Sequence, residues 1–564
     1  MAMLFLAGMI LAQAPGAKAE AKQKAAQQAK KVAEEKAKKE AEAKKAAEAK
    51  KVYDDVPTTP ALKPVAVPKA SLEPAAVAAA IDRHVEKGLA EKKLISSDTC
   101  TDAEFLRRAS LDIAGVIPGL ERTKAFLDST EANKRAKLID ELLADANYSR
   151  KQADVWLAKL FPRDSANRYV QPTEFHTWLQ KQFNDNVRWN TFVETVLTAT
   201  GSVDEHPEVT FFLANRSIDK LTDATTQHFL GVRLGCAQCH NHPFTATKQV
   251  EYWGMAAFFG KVAAEKPKNP KKDGDNSKLT VDEGKGPSKS KEFFPESTMK
   301  VAAKFFEGPV AKLDEKEAYR PALATWLTST QNPYFARAMV NRTWASLFGH
   351  GLIDPIDDMI AKNEPSHPEL LDELAGQFIA SGFDVKALIR SIALSKTYQR
   401  SSKPNDSNKS DSEFFSHQAV RQLGAEQLFD SLAVVLGSGA PAKGDAKRKD
   451  KKGMPGNQRA AFAQFYLAGA EEPSPLEFEA GIPQALRLMN SRTGPINGAA
   501  VQLTKGKKPD AAIESLYLTA LSRMPSDAER KRLADYLKQA AIPAEAYGDI
   551  LWAILNSSEF AMVK

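Results

Sequence analysis

Two cysteines and two histidines lie within seven consecutive positions of the stretch GVRLGCAQCHNHPF, residues 231–244. Cys236, Cys239 and His240 form a C-x-x-C-H motif, the spacing that is typical of c-type haem attachment. Two thiols three residues apart can form thioethers with the two vinyl groups on one edge of a porphyrin, and the next imidazole can then ligate the iron. The motif therefore predicts one covalent haem c.

A low-spin haem needs a second axial ligand on the opposite face of the ring. Met255 has enough intervening chain to fold back, and His206 is a second candidate, while a five-coordinate haem stays open. On a continuous helix His228 would lie about 18 Å from His240, so only a break in that helix would admit it. His242 is too close in sequence to pass around the porphyrin. Met255 is therefore the first candidate for the distal ligand.

Three other interpretations of the motif stay open. Cys100, Cys236 and Cys239 with His240 or His242 would supply a Cys3His zinc site of the closed, structural kind. The close cysteine pair could also form a disulfide or a redox dithiol, although the βαβ context of a thioredoxin-like site is missing. Finally, a five-residue pattern can occur by chance in a chain of 564 residues.

Outside the motif the sequence offers few residues for chemistry. Arg342 could bind a carboxylate or sulfate in a bidentate manner, but an arginine near Trp344 on one helix is more typical of a structural stack. The patterns G-x-S-x-G and H-E-x-x-H, the P-loop and a Rossmann-type glycine motif do not occur in the sequence context that they need. No catalytic residue is predicted, and whether the chain is an enzyme stays open.

The net charge of +7 is concentrated in lysine-rich segments. Residues 21–51, 261–291 and 443–452 carry +6, +4 and +4, so the rest of the chain carries about −7. Polyanion binding needs basic side chains concentrated on a folded surface, and this distribution does not provide them. We therefore predict no nucleic-acid partner.

The N-terminus resembles a secretory signal. The apolar run from Met3 to Leu11 is too short to span a bilayer, and small residues suited to cleavage follow it up to about residue 20. We therefore expect an exported protein of the periplasm or cell envelope. Because no Lys or Arg precedes the run, a true start further upstream or an uncleaved segment in contact with the membrane stays open.

The chain is predicted to be mainly α-helical, with two helical domains and no sheet of any size. Helix signals include three capping boxes and a helical spacing of apolar residues, whereas alternating Val, Ile and Thr runs are few. The capping boxes pair Thr101 with Glu104, Ser366 with Glu369, and Ser526 with Glu529. The predicted parts are a signal-like segment 1–20, an Ala/Lys/Glu-rich helical spacer 21–52, a Pro-rich linker 53–75, a helical domain 76–262 with the motif, a lysine-rich linker or insert 263–298, and a second helical domain 299–564.

Several long motifs carry a family resemblance. The runs EFLRRASLDIAGVIPG, LIDELLADANYSRKQADVWL and GVRLGCAQCHNHPF resemble the second of the PSCyt domains, a planctomycete cytochrome-associated family of unknown function. The runs RPALATWLTSTQNPYFARAMVNRTWASLFGHGLIDPIDDM, SHPELLDELAGQFIASGFDVKALIRSIALSKTYQR and GIPQALRLMNS resemble its companion, the PSD domain, also of unknown function. The resemblance covers most of residues 76–560.

The resemblance implies an exported protein that is often encoded beside sulfatase-like proteins, and it implies no established reaction. Relatives fuse to a separate c-type cytochrome domain, whereas this chain has a single C-x-x-C-H. We expect an exported, cytochrome c-like electron-transfer protein whose partner is a redox protein or a sulfatase-like exported protein. The alternative is a non-redox envelope module with a structural zinc site or disulfide, and the oligomeric state stays open.

Overall fold

The computed structural model describes residues 62–161, 172–241, 247–265, 280–283, 301–314, 316–360, 362–437, 455–466 and 493–564, with isolated helical positions between 28 and 40. The predicted signal-like segment, most of the predicted spacer and residues 53–61 of the predicted Pro-rich linker lie outside these residues. Within the described part, the prediction of a mainly α-helical fold is confirmed. No helix found there is long and apolar enough to cross a bilayer.

The first half of the described chain is a succession of short helices. They are α1 (Pro74–Lys92), α2 (Asp102–Ala109), α3 (Leu120–Asp128), α4 (Lys134–Ala144), α5 (Ala146–Leu160), α6 (Pro172–Asn184), α7 (Trp189–Thr198), α8 (Thr210–Ala214), α9 (Ile218–Thr225) and α10 (Gln249–Ala256). One turn of π-helix follows α2 at Ser110–Ala114, and another follows α9 at Thr226–Leu230. Turns of 3-10 helix lie at Pro207–Val209, Gly235–Gln238 and Ala257–Phe259.

The second half is built in the same way. Its helices are α11 (Arg320–Leu327), α12 (Phe335–Phe348), α13 (Pro368–Ala380), α14 (Val385–Leu394), α15 (Ala425–Val435), α16 (Pro455–Tyr466), α17 (Thr493–Thr504), α18 (Pro509–Leu521), α19 (Asp527–Gln539) and α20 (Pro543–Leu555). In α14 the buried residues Val385, Leu388, Ile389 and Ile392 follow helical spacing. Asp384 caps this helix, since its Oδ1 accepts a hydrogen bond from the Ala387 N–H at 2.9 Å.

The sheets are small. Strands β1 (Gly201–Ser202), β2 (Val262–Glu265) and β3 (Thr280–Glu283) form an antiparallel sheet in the order β1–β3–β2, and β4 (Arg421–Gln422) pairs with β5 (Met562–Val563). Residue pairs Gly201 with Val281 and Val262 with Glu283 set the register around β3. Strand β3 falls inside residues 263–298, which were predicted as a linker or insert, so part of that segment belongs to the folded body.

Strand β3 also anchors the start of α11. Glu283 Oε1 accepts hydrogen bonds from the backbone N–H groups of Tyr319, at 2.5 Å, and Arg320, at 3.1 Å. Its other oxygen accepts from Arg320 Nε at 3.0 Å, and both side chains are almost fully buried. The carboxylate therefore compensates both the guanidinium charge and the unpaired N–H groups of the helix start.

Two hydrophobic cores hold the helices together. The first contains residues from Val65 to Phe415, and the second contains residues from Leu423 to Val563 together with Leu111 and Ile117. The predicted boundary at 263–298 does not divide the core, because helices on both sides of it share the first cluster. The change of core falls instead between Phe415 and Leu423.

Two arginines of α2 fasten the second core to the first. Arg108 is fully buried and donates from Nε to the Lys564 carbonyl at 2.7 Å and from Nη1 to the Tyr398 carbonyl at 2.8 Å. Arg107 donates to the carbonyl of Ala520 at 2.9 Å. The C-terminal helices are therefore held against α2 by charged hydrogen bonds that local sequence signals do not reveal.

The predicted capping boxes have three different outcomes. The reciprocal box of Ser526 and Glu529 is present, and Thr101 accepts from the Glu104 N–H at 3.2 Å. The Ser366 box was wrong: α13 begins at Pro368 with His367 as its N-cap residue, and Ser366 Oγ instead bonds His367 Nδ1 at 3.1 Å. Proline, which needs no N–H partner at the first helical position, sets this helix start.

Candidate functional site

The C-x-x-C-H motif lies on an exposed turn between α9 and α10. Gly231 ends the preceding π-helical turn with φ 70°, and a Cβ on it would lie 3.3 Å from that of Ala338 in α12. The 3-10 turn Gly235–Gln238 follows, in which Ala237 is buried while Cys236 is exposed. Glycine at position 231 thus allows the chain to leave the core and present the motif to solvent.

Helix α10 holds the turn in place. Gln249 Nε2 and Trp253 Nε1 both donate to the carbonyl of Gln238, at 3.0 and 3.2 Å. Asn241 Oδ1 accepts from the Gln249 N–H at 2.9 Å. These bonds hold the Gln238 backbone and the Asn241 side chain, and they do not involve the two cysteine side chains.

Cys236, Cys239 and His240 are all exposed, and both thiols are free. The Nδ1 atom of His240 lies 2.8 Å from the Asn241 carbonyl oxygen, so the ring donates from Nδ1 and keeps Nε2 for another partner. All three residues of the haem prediction are therefore exposed on the same turn. It shows no disulfide between the two cysteines.

The alternative zinc set is not assembled in the described residues. Cys100 is buried, 3.8 Å from Arg108 Nη1 and 4.0 Å from Arg135 Nη1, and burial raises the pKa of its thiol. Nowhere in the described ranges do three His, Cys, Asp or Glu side chains cluster as a metal site would require, so Cys100 does not join Cys236 and Cys239. The fourth member of that set, His242, lies outside the described residues.

The two distal-ligand candidates have different surroundings. Met255 is fully buried, and its sulfur accepts a hydrogen bond from the Phe306 N–H at 3.1 Å, so it is a core residue in this structure. His206 lies at the start of the Pro207–Val209 turn, with Nδ1 3.2 Å from Glu208 Oε1. The sulfur of Met255 could reach a ligand position only by leaving the core.

His228 was set aside on the assumption of a continuous helix, and that assumption was wrong because the helix ends at Gly231. Its imidazole is nevertheless partly buried, and desolvation, with smaller effects from Lys159 and Arg342, lowers its pKa to about 3. The ring therefore stays neutral inside the protein.

An acidic residue that was not predicted lies beside the turn. Asp223 in α9 lies so close that a Cβ on Gly235 would be 3.5 Å from Asp223 Oδ2. Burial, followed by the charge of Asp219, raises the pKa of Asp223 to about 6. The sequence does not reveal that Asp223 lies near the motif, because the chain turn at Gly231 brings Asp223 close to Gly235.

A second candidate site lies between the two cores. It is a cavity of about 530 Å³ bounded by α5, α12, α15, α16, the β4–β5 pair and the π-helical turn after α2. Its charged lining residues are Asp112, Arg150, Lys151, Asp154, Lys159, Arg342, Arg421, Glu426, Asp430 and Arg459. Six of these are basic and four are acidic, so the wall has an excess of positive charge.

One side of the cavity is a buried ion network. Arg459 donates to Asp154 Oδ1 at 3.1 Å and to Asp430 Oδ1 at 3.0 Å, and Arg150 Nη2 lies 3.0 Å from Asp430 Oδ2. His176 Nε2 lies 2.9 Å from Asp154 Oδ1. Burial opposes ionisation of Asp154, but Arg459 and His176 outweigh it and hold the pKa of this carboxyl well below its usual value.

Two further arginine–aspartate pairs involve residues of the cavity wall. Arg421 Nη2 lies 2.9 Å from both oxygens of Asp112, and the Tyr398 hydroxyl also donates to that carboxylate at 2.9 Å. Arg342 pairs with Asp357, and its guanidinium carbon lies 5.9 Å from the Trp156 ring centre. Of the cavity residues, the sequence singled out Arg342 alone. Its guanidinium lies near Trp156, whereas Trp344 stacks on Phe348.

Comparison with known families confirms the predicted pair. Residues 80–264 match the PSCyt2 family, described as a protein of unknown function (DUF1549). Residues 319–464 match the PSD1 family, also described as a protein of unknown function (DUF1553), in the predicted order. No curated protein and no solved structure matches the chain.

Proposed function

We propose that this chain, a PSCyt2 domain followed by a PSD1 domain, carries one covalent haem c at Cys236, Cys239 and His240 and exchanges electrons with a partner. One observation supports this most directly: two free, exposed thiols and one exposed imidazole stand on the same short turn. Free thiols at a buried position would be inaccessible to a group as large as a porphyrin.

The arrangement of His240 fits a proximal ligand. Its Nδ1 is turned to the Asn241 carbonyl at 2.8 Å, which leaves Nε2 as the atom that would bind iron. A hydrogen bond at the other ring nitrogen fixes the orientation of a ligating imidazole and raises its basicity. When bound, the haem would supply one-electron redox chemistry at a surface that a partner can approach.

The chain itself contributes a turn whose backbone is hydrogen-bonded to α10. Gln249 and Trp253 both donate to the Gln238 carbonyl, so α10 holds the backbone between the two cysteines. Because the sulfur of Met255 is occupied by the Phe306 N–H, we assign the distal position to no described residue. We further propose that the protein is exported to the periplasm or cell envelope, and that a redox protein or a sulfatase-like exported protein is its partner.

Mass spectrometry of the full chain tests the proposal. After expression in a host that attaches haem to a control cytochrome, we expect the chain to gain the mass of one haem that survives denaturation, with a Soret band in its absorption spectrum. The Cys236→Ser/Cys239→Ser variant should lose both signals. Cys100→Ser is the matched control, since this third cysteine is buried elsewhere, and it should keep both.

Two results would contradict haem attachment. One is an unmodified chain with free thiols from a host that loads the control cytochrome. The other is one zinc per chain, which would move the motif to the structural alternative.

A further inference from the structure

We infer that the cavity between the two cores binds a small organic oxyanion, a molecule that bears a carboxylate, phosphate or sulfate group on a carbon framework. The site contains none of the residues of the C-x-x-C-H turn, so it stands whether or not haem is attached. Four observations carry this assignment: unpaired donors, an uncompensated lysine, the cavity's size and its apolar wall.

Arginine N–H groups at the wall have no protein acceptor. The atoms concerned are Arg150 Nη1, Arg342 Nε and Arg421 Nε, all buried and without a hydrogen-bond partner. Arg342 is 6% exposed and Arg150 8% exposed, so bulk water does not replace the missing acceptor. Buried donors are nearly always satisfied, and an anion bridging such groups would satisfy them.

Lys151 adds a positive charge that the ion network does not neutralise. Its ammonium donates to the Asp112 carbonyl oxygen, and no carboxylate in the described residues lies within ion-pair distance of it. The groups facing it are the Asp112 carboxylate and the Arg421 guanidinium, which already neutralise each other, with Arg150 and Asp154 on its own helix. Burial lowers the pKa of Lys151 to about 8, so the lysine is still charged at neutral pH.

The backbone makes room for this lysine. Gly115 has φ 73°, and a Cβ on it would lie 3.0 Å from Lys151 Cγ. The aliphatic stem of the lysine therefore lies over the glycine, with its ammonium at the cavity. A lysine charge at a cavity with no carboxylate of the described residues within ion-pair distance is typical of a ligand-binding group.

The volume of the cavity and its apolar lining indicate that the ligand has an organic body beside its charged group. A volume of about 530 Å³ exceeds what an inorganic ion fills and lies within the range of small-molecule pockets. Val155, Ala158, Val420 and Val563 form an apolar part of the wall. The organic body would pack there while its charged group meets Lys151 and the open arginine donors.

Calorimetric titration of the full chain at pH 7 tests the site with matched probes. One series shares a sugar body: glucose, glucuronate, glucose 6-phosphate and glucose 6-sulfate. The other shares an aromatic body: phenol, benzoate, phenyl phosphate and phenyl sulfate. Inorganic sulfate and phosphate complete the set. We expect at least one anionic probe to bind more tightly than its neutral parent and more tightly than the inorganic ion.

Lys151→Met should weaken that binding on the order of 10- to 100-fold, the usual loss for a charge-assisted hydrogen bond. Lys386→Met is the matched control, because Lys386 is a partly buried lysine over the Tyr148 ring and does not line the cavity. Its affinity should equal that of the native chain. Native binding should also weaken from pH 7 to pH 9 as Lys151 loses its proton, while the residual binding of Lys151→Met stays level.

The inference is overturned if no anionic probe binds at millimolar concentration, or if the neutral parents bind equally well. It is also overturned if Lys151→Met binds like the native chain. Thermal unfolding of both variants shows that they are folded, so a lost signal reports the site. Haem loading is measured on the same samples by absorption, which separates this outcome from the haem proposal.

Discussion

The exposed C-x-x-C-H turn and the cavity between the two cores position their reactive groups in opposite ways. The turn uses five consecutive residues, 236–240, in which the side chains of Cys236, Cys239 and His240 are exposed while α10 holds the backbone. The cavity collects charged groups between Asp112 and Arg459 from separate elements and sets them between two cores. We therefore expect the side chains of the turn to be replaceable at little cost to stability, whereas the paired charges of the cavity wall are coupled to the fold.

The largest effect on stability is expected when Asp430, which pairs with two arginines of the ion network, is replaced. Asp430 is 2% exposed and binds both Arg459 and Arg150, so Asp430→Ala leaves two buried guanidinium groups short of a counter-charge. Loss of one partner of a buried pair costs about 3–5 kcal/mol of unfolding free energy. Urea unfolding followed by circular dichroism should show a loss of this size.

Asp140→Ala is the control, because Asp140 is about half exposed and pairs with Arg390 on the surface, with Arg390 Nη2 3.0 Å from its Oδ2. Exposed pairs contribute about 0–1 kcal/mol. If the two variants lose equal stability, the cavity wall is no more tightly coupled to the fold than the surface.

A smaller effect of opposite sign is expected at Lys151. Its folded pKa of about 8 lies below the usual 10.5, so the unfolded chain binds more protons between these values. The native protein should therefore gain stability as the pH rises from 8 to about 10. Lys151→Met, which has no ammonium to bury, should be about 1–3 kcal/mol more stable than the native chain at pH 7.

Urea midpoints of both proteins at pH 7, 8, 9 and 10 measure this difference. The gap should narrow with rising pH, because the native lysine becomes neutral. A gap that is constant with pH would mean that the substitution acts through packing, and the lysine would then not be a strained charge at the cavity.

Much of the fold could be predicted because helix signals are local. Ser526 and Glu529 cap α19 as their spacing predicts. Ser366 shows the limit of this reasoning, because Pro368 starts α13 one residue later than a serine cap would allow, and Glu369 pairs with Lys87 instead. Glu369 makes a tertiary ion pair instead of the capping hydrogen bond, and the capping pattern contains no information about that ion pair.

The sequence also missed order in a polar segment. Residues 263–298 read as a linker because lysine, proline and glycine dominate them, yet Glu283 in β3 neutralises buried Arg320. Composition could not reveal one short strand that is stabilised by pairing with β1 and β2.

The two sites differ in the same respect. Cys236, Cys239 and His240 could be found because their chemistry depends on spacing along the chain. Lys151 and Arg421 lie 270 positions apart and meet only when α5 packs beside β4, so no pattern along the sequence joins them. The burial of Met255 was equally hidden, because chain length suggested it as a ligand whereas its sulfur accepts from the Phe306 N–H inside the core.

The smallest expected effect is at the turn itself. In the haem-free chain, Cys236→Ser/Cys239→Ser should change the unfolding free energy by no more than about 0.5 kcal/mol, because exposed side chains outside the hydrogen-bond network contribute little. Ala237 provides a control within the same turn, since it is fully buried. Ala237→Asp would bury an unpaired carboxylate and should cost roughly 2 kcal/mol or more, measured by the same urea titration. If the double serine variant lost as much unfolding free energy as Ala237→Asp, the thiols would contribute to stability. Substitutions in the turn would then be as destabilising as those in the cavity wall.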